Sequence, residues 1–193
     1  MTRVVGKRAA RRAELFDQLV GLFLDEGFAH LTLDDVAARL RCSKSTLYTL
    51  AESKDDLVRA ATVHFFRRAA DEVEEALARV DSGAGDRVTA YLEAVGDQLA
   101  PASARFMEDL ARMPGARGVY EQNTAIAAER VRTLIAEGVG AGEFRSVSAE
   151  FVADVVASTM VRIQQRDVAR ATGFDDAQAY RELAALVTRG IAR

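Results

Sequence analysis

The chain has 193 residues, 49% of them hydrophobic and 28% charged, a balance that excludes disorder as the main state and suits one domain, or two small helical ones sharing a core. Its single cysteine, Cys42, forbids an intrachain disulfide, and no run approaches the roughly 18 apolar residues of a membrane span. Net charge is −3, yet residues 1–12 hold Arg3, Lys7, Arg8, Arg11 and Arg12 without an acid, so a +5 segment precedes a body of net −8. That asymmetry suggests a basic arm on an acidic body. No apolar stretch follows the basic residues, so the expected compartment is the cytoplasm rather than the secretory route. Only two prolines and no tryptophan occur among abundant Ala, Leu, Arg, Glu and Val, which favours helices.

From Glu14 to Glu26, Leu15, Leu19, Leu22 and Phe23 recur at helical spacing, and Gly27 followed by Phe28 marks the helix end. Thr32 and Asp35 have the spacing of a reciprocal cap, which predicts a short helix from Leu33 to about Leu40. Ser43 is a second N-cap for a helix over 44–50, two turns long and dependent on the packing of Leu47 and Leu50. Ser53 opens a third, with Asp55 and Asp56 in its first turn. From Lys54 to Val80 neither Gly nor Pro interrupts the helical spacing of Leu57, Ala61, Phe65, Ala69, Val73, Leu77 and Val80. Beyond the Ser82-Gly83-Ala84-Gly85 break, the punctuation predicts helices at 86–100, 103–112, 118–139, 149–172 and 176–191. The expected architecture is all-α, with residues 1–53 as one domain and 54–193 as a second, joined by the long helix.

Two short capped helices joined by a three- or four-residue turn behind a longer helix form a helix-turn-helix, whose second helix lies in a DNA major groove. Lys44, Ser45, Thr46, Tyr48 and Thr49 give the helix over 44–50 hydroxyls, a phenol and an ammonium, groups that suit phosphate oxygens and base edges. Lys54 stands at a helix start, where amide donors also favour phosphate. The competing reading makes Thr32, Ser43 and Ser53 simple caps and Tyr48 a half-buried core residue.

The stretch TLDDVAARLRCSKSTLYTLAESKDDL, Thr32 to Leu57, resembles the TetR (tetracycline-repressor) family of bacterial regulators. Ser43 to Tyr48, then Ser53, Lys54 and Leu57, are similar to its recognition helix and the start of the next helix; Thr32, Val36, Ala37 and Ala38 resemble the helix before. The sequence departs from the family at Arg41, where glycine is usual, at Cys42, usually valine, and at Ala51, usually aromatic. The resemblance implies that Thr32, Tyr48 and Lys54 contact phosphate, that Ser45, Thr46 and Thr49 approach bases, and that Lys44 does either. It further implies a repressor bound to a near-palindromic operator and released by a small-molecule effector.

In the C-terminal body, Phe151, Val152, Val155, Val156, Met160 and Ile163 form a wide apolar arc, and Tyr180, Leu183, Ala184, Leu186, Val187 and Ile191 a second stripe. Two such helices can pair with their twofold copies as a four-helix bundle; the resemblance assigns them to a homodimer interface, with Phe151, Val155, Met160, Ile163, Leu183 and Val187 as its candidates. It also implies an effector pocket, for which Tyr91, Phe106, Met107, Met113, Tyr120 and Gln164 are the candidates, the methionines suiting an adaptable apolar cavity. The absence of an Arg or Lys cluster there points to a largely apolar ligand.

No cofactor or metal is expected. A carboxylate-bridged iron bundle needs Glu three residues before a His, and neither His30 nor His64 has it. Gly138 to Gly142 follows a helix rather than a strand, so it is a terminator and not a dinucleotide loop. Catalysis is therefore not expected; the alternative to a DNA-binding regulator is an all-helical small-molecule-binding protein or enzyme.

Overall fold

The structure, a computed structural model, describes residues 2–193, with side chains from Ala10 onward. Among the described residues the chain forms ten α-helices and no strand, apart from an isolated bridge between Phe144 and Ala192. In chain order these are α1 (Thr2–Glu26), α2 (Leu33–Arg39), α3 (Lys44–Tyr48), α4 (Lys54–Ala78), α5 (Ala84–Leu99), α6 (Ala104–Arg112), α7 (Pro114–Gly140), α8 (Ala149–Gln164), α9 (Asp167–Thr172) and α10 (Asp176–Ile191). No helix of the described residues is long and apolar enough to cross a membrane.

Three elements differ from the sequence expectation. α1 starts at Thr2 rather than Glu14, because Ala9, Ala10 and the arginines propagate a helix without adding to the apolar stripe on which the expectation rested. α7 starts at Pro114 instead of being broken by it; at the first helical position the missing N–H of proline costs nothing. The helix expected over 149–172 is two helices. Arg166 between them is left-handed at φ +62°, and its guanidinium pairs at 2.8 Å with Asp176, a buried acid at the start of α10. Burial raises the Asp176 carboxyl despite that arginine.

The chain divides into two compact units. The first holds residues up to Arg68 together with Ala102–Tyr120, so the first half of α4, all of α6 and the start of α7 pack with the N-terminal helices. This division cuts the chain elsewhere than a boundary after residue 53, because Leu57, Val58 and Ala61 of α4 share one core with Phe16, Leu19, Phe23, Phe106 and Leu110. Phe28 sits at its centre, 5.4 Å from the Phe23 ring and edge-on to Phe106 at 5.9 Å. At Gly27 the backbone has φ +74°, and a Cβ there would stand 2.6 Å from Arg105 Cγ and 2.7 Å from Asp109 Oδ2. Only glycine meets both demands.

The second unit comprises Ala69–Pro101 and Glu121–Arg193. Here α10 packs against α5 and α8. Gly96 of α5 allows the approach of Tyr180: a Cβ at Gly96 would lie 2.8 Å from the Cβ of that tyrosine. Val88, Leu92, Val131, Leu134, Ile135, Val156, Met160 and Ala184 fill the core.

Candidate nucleic-acid interface

The helix-turn-helix is assembled by local caps. Thr32 Oγ1 accepts from Asp35 N–H at 3.2 Å, and Asp35 Oδ2 accepts from Thr32 N–H at 2.8 Å, which closes both ends of a capping box. The Thr32 hydroxyl and N–H hold the Asp35 carboxyl below its ordinary value. α2 ends at Leu40, and Arg41 then adopts φ +50°. This is the position at which the resembled family has glycine, so the turn keeps its left-handed residue although the side chain has changed. Cys42 N–H donates to Ala37 O at 2.9 Å, and its half-buried thiol, pushed up by burial, packs against the core.

Ser43 caps α3, its Oγ accepting from Thr46 N–H at 3.1 Å. At five residues α3 is too short to persist alone. Leu47 and Leu50 are buried in the first unit's core, each contributing about 1.5–3 kcal/mol, and they hold the helix in place. The opposite side is left to solvent: Ser43, Lys44, Ser45, Tyr48 and Thr49 are exposed, with Thr46 half-buried. Tyr48 is 51% exposed, so it is not the half-buried core residue of the competing reading. α3 therefore presents three hydroxyls, a phenol and an ammonium on one solvent-facing surface, chemistry suited to phosphates and base edges.

The cations of this unit are already engaged. Lys44 Nζ lies 3.0 Å from Asp34 Oδ2, and this carboxylate raises the lysine pKa. Arg39 pairs with Glu26. Lys54 Nζ donates to Ala29 O at 2.7 Å. Arg12 of α1 donates to Thr49 O at 2.8 Å and Leu50 O at 3.3 Å, capping the C-terminal end of α3 while lying over the Phe16 ring. Sequence spacing gave no sign of this last link, which joins residues 37 and 38 positions apart.

The pocket candidates do not form one cluster. Phe106 and Met107 are buried in the first unit's core, with Met113 and Tyr120 half-buried against it; Tyr91 and Gln164 lie in the second unit. Burial pushes the Tyr91 phenol up to about 12. Gln164 is buried, its amide 3.4 Å from Tyr180 Oη and its carbonyl 3.4 Å from Thr124 Oγ1. The second unit also carries an open groove of about 420 Å³ whose walls include Glu74, Leu77, Asp81, Arg87 and Arg130. Arg130 binds Glu74 through two 2.8 Å hydrogen bonds, so this groove is polar.

The six interface candidates also separate. Phe151 and Val155 are exposed, at 69% and 41%, alongside Leu186 at 73%. Met160, Ile163, Leu183 and Val187 are instead buried in the second unit's own core. The apolar arc of α8 is wide because it serves two surfaces, and its inner rows pack against α10 within the same chain. Leu186, which the candidate set left out, belongs to the outer surface.

Residues 15–61 match the family model for bacterial regulatory proteins of the tetR family. A comparison with curated protein sequences finds no match. Solved structures with a similar fold include a transcriptional regulator from Saccharomonospora viridis in complex with choline, 17% identical with a TM-score of 0.76 over 97% of this chain and 99% of that one. A TetR-family transcriptional regulator from Rhodococcus sp. is 18% identical, TM-score 0.70, over 95% and 100%. The fatty acid degradation regulator of Bacillus halodurans is 14% identical, TM-score 0.71, over 94% and 97%. At these identities the likeness speaks for the fold, while the sequence match covers the helix-turn-helix. Residues 15–61 are thus a DNA-binding domain of the TetR family of bacterial regulatory proteins, and the chain is a DNA-binding regulator built on that family's fold.

Proposed function

We propose that the chain is a cytoplasmic homodimeric repressor, without catalytic activity, that holds a near-palindromic operator and leaves it when a small, largely apolar ligand binds. The observation that carries the reading is the division of α3, with Leu47 and Leu50 buried and Lys44, Ser45, Tyr48 and Thr49 turned to solvent. In this reading Thr32, Tyr48 and Lys54 contact phosphate, Ser45, Thr46 and Thr49 approach base edges, Lys44 does either, and Ser43 holds the helix start. Phe151, Val155 and Leu186 favour a second copy of the chain as partner, because three large apolar side chains lie open on the face of α8 and α10. Two recognition helices would then enter successive major grooves about 34–36 Å apart or somewhat more. The choline complex of the Saccharomonospora viridis regulator supports a small organic effector.

The test is DNA titration by fluorescence anisotropy across a salt series. Lys54→Ala should weaken binding to every sequence and flatten the salt slope by about one unit. Thr46→Ala and Thr49→Ala should instead change the preference among sites by about 1–3 kcal/mol for a good base contact. Equal loss on all sequences from the threonine variants would remove α3 from base readout.

A further inference from the structure

Residues 13–61, which hold most of α1, the helix-turn-helix and the start of α4, contain five basic side chains against nine acidic ones, a net charge of −4. Affinity for duplex DNA rests largely on cations that displace counterions from phosphate. Three of the five are engaged within the protein: Arg39 with Glu26, Lys44 with Asp34, and Lys54 with the Ala29 carbonyl. This unit by itself would repel a polyanion.

The compensating charge precedes it in the chain. Arg3, Lys7, Arg8, Arg11 and Arg12 bring +5 and no acid, and residues from Thr2 onward continue α1. The Arg12 guanidinium fixes where this charge enters, 2.8 Å from the carbonyl of Thr49 at the C-terminal end of α3. From Arg12 back to Thr2 a helix extends about 15 Å at 1.5 Å per residue. A major groove is about 12 Å wide, so a segment of that reach, starting beside a helix seated in the groove, spans to a phosphate strand bounding it. Arg11 is exposed at the root of the segment.

We propose that residues 2–11 form a phosphate-binding arm supplying most of the salt-dependent DNA affinity, with Arg12 as the positioning residue that anchors the arm to α3. The inference rests on the reading of α3 as the recognition helix. Arm and helix then divide the work: the arm binds duplex DNA of any sequence, and α3 selects among sequences.

The test compares the full chain with a variant carrying Arg3→Gln, Lys7→Gln, Arg8→Gln and Arg11→Gln, and with a second lacking residues 2–9, on a selected site and on random duplex DNA from 50 to 300 mM salt. Thermal melts monitored by circular dichroism establish that each variant is folded. Four lost phosphate contacts should lower the salt slope by about 3–4 units at ~0.9 per contact. Affinity at 150 mM salt should fall at least tenfold on both DNAs, with the preference for the selected site retained. Folded variants with unchanged slope and affinity would overturn the arm while leaving the α3 reading standing. Failure of the unaltered chain to bind any duplex would instead overturn the α3 reading, and the arm with it.

Discussion

The buried carboxylate of Asp109, on α6, accepts the backbone N–H of Phe28 at 2.7 Å, across 81 positions of sequence, and with the same oxygen the N–H of Ala29 at 2.8 Å. The two donors follow Gly27, where α1 has ended and α2 has not begun, so no helix supplies them with an acceptor. Ser103 N–H closes the same junction by donating to Leu24 O at 2.8 Å. α6 thereby fixes the turn that leads into the helix-turn-helix.

Asp109→Ala should therefore cost stability well beyond a surface change. It leaves two N–H groups without their acceptor in the first unit, and each charge-assisted bond contributes about 1.5–3 kcal/mol. A loss of about 3 kcal/mol in urea denaturation is expected. Gly27→Ala should be comparably harmful because the new Cβ meets both Arg105 and Asp109 at a positive φ. A change below ~1 kcal/mol in either variant would show that the junction is not held this way.

Arg41 offers a change in the other direction. A non-glycine residue at φ +50° carries about 1–2 kcal/mol of strain, whereas glycine forfeits about 0.5–1 kcal/mol in chain entropy. Arg41→Gly should raise stability by up to about 1 kcal/mol, read from the urea midpoint at constant m-value. A lowered midpoint would mean that the exposed arginine makes a stabilising contact stronger than the strain.

Most of the fold was legible from caps and periodicity. Thr32 with Asp35, and Ser43 with Thr46, announce α2 and α3 through contacts three residues apart, and the structure has both. The separation of rows on α8 was not legible. A stripe that includes Phe151 and Met160 looks alike whether it faces α10 or solvent, since spacing reports a face and not its partner. Asp109 escaped notice for a related reason, as its acceptor role is defined only by a turn some eighty residues away. The basic segment stood out by charge, while its anchoring beside Thr49 required the fold.

Lys44 should become more available to DNA when its partner is removed. Asp34 is exposed and lies 3.0 Å from the ammonium, placing a negative charge beside the proposed contact surface. Asp34→Asn should tighten binding to duplex DNA about two- to tenfold at low salt, with the gain shrinking as salt screens it. Anisotropy titrations at two ionic strengths measure this, and weaker binding at both would show that the pair orders Lys44 for contact.

Acid should weaken one link between α1 and α4. Asp17 accepts from His64 and from Arg68, each at 2.7 Å, and the His64 bond, ahead of Arg68, holds its carboxyl below the ordinary value of 3.8. A depressed folded value means that the unfolded chain takes up the proton first. The stabilisation is therefore complete above the unfolded carboxylate range and is lost as pH falls through the folded value. The stability difference between the unaltered chain and Asp17→Asn should be steady near neutrality and shrink below about pH 4. A difference growing on acidification would contradict the assigned direction.

The central claim, sequence-selective DNA binding through α3, is tested most directly by selection of bound fragments from a random duplex library at physiological salt, with the Ser45→Ala, Thr46→Ala, Thr49→Ala triple variant run in parallel. The account predicts enrichment of a near-palindromic site by the unaltered chain, bound by two copies and preferred over random duplex by at least ~10³, and a relaxed or altered consensus for the variant. No enriched sequence from the unaltered chain, or the same consensus from both proteins, would contradict it.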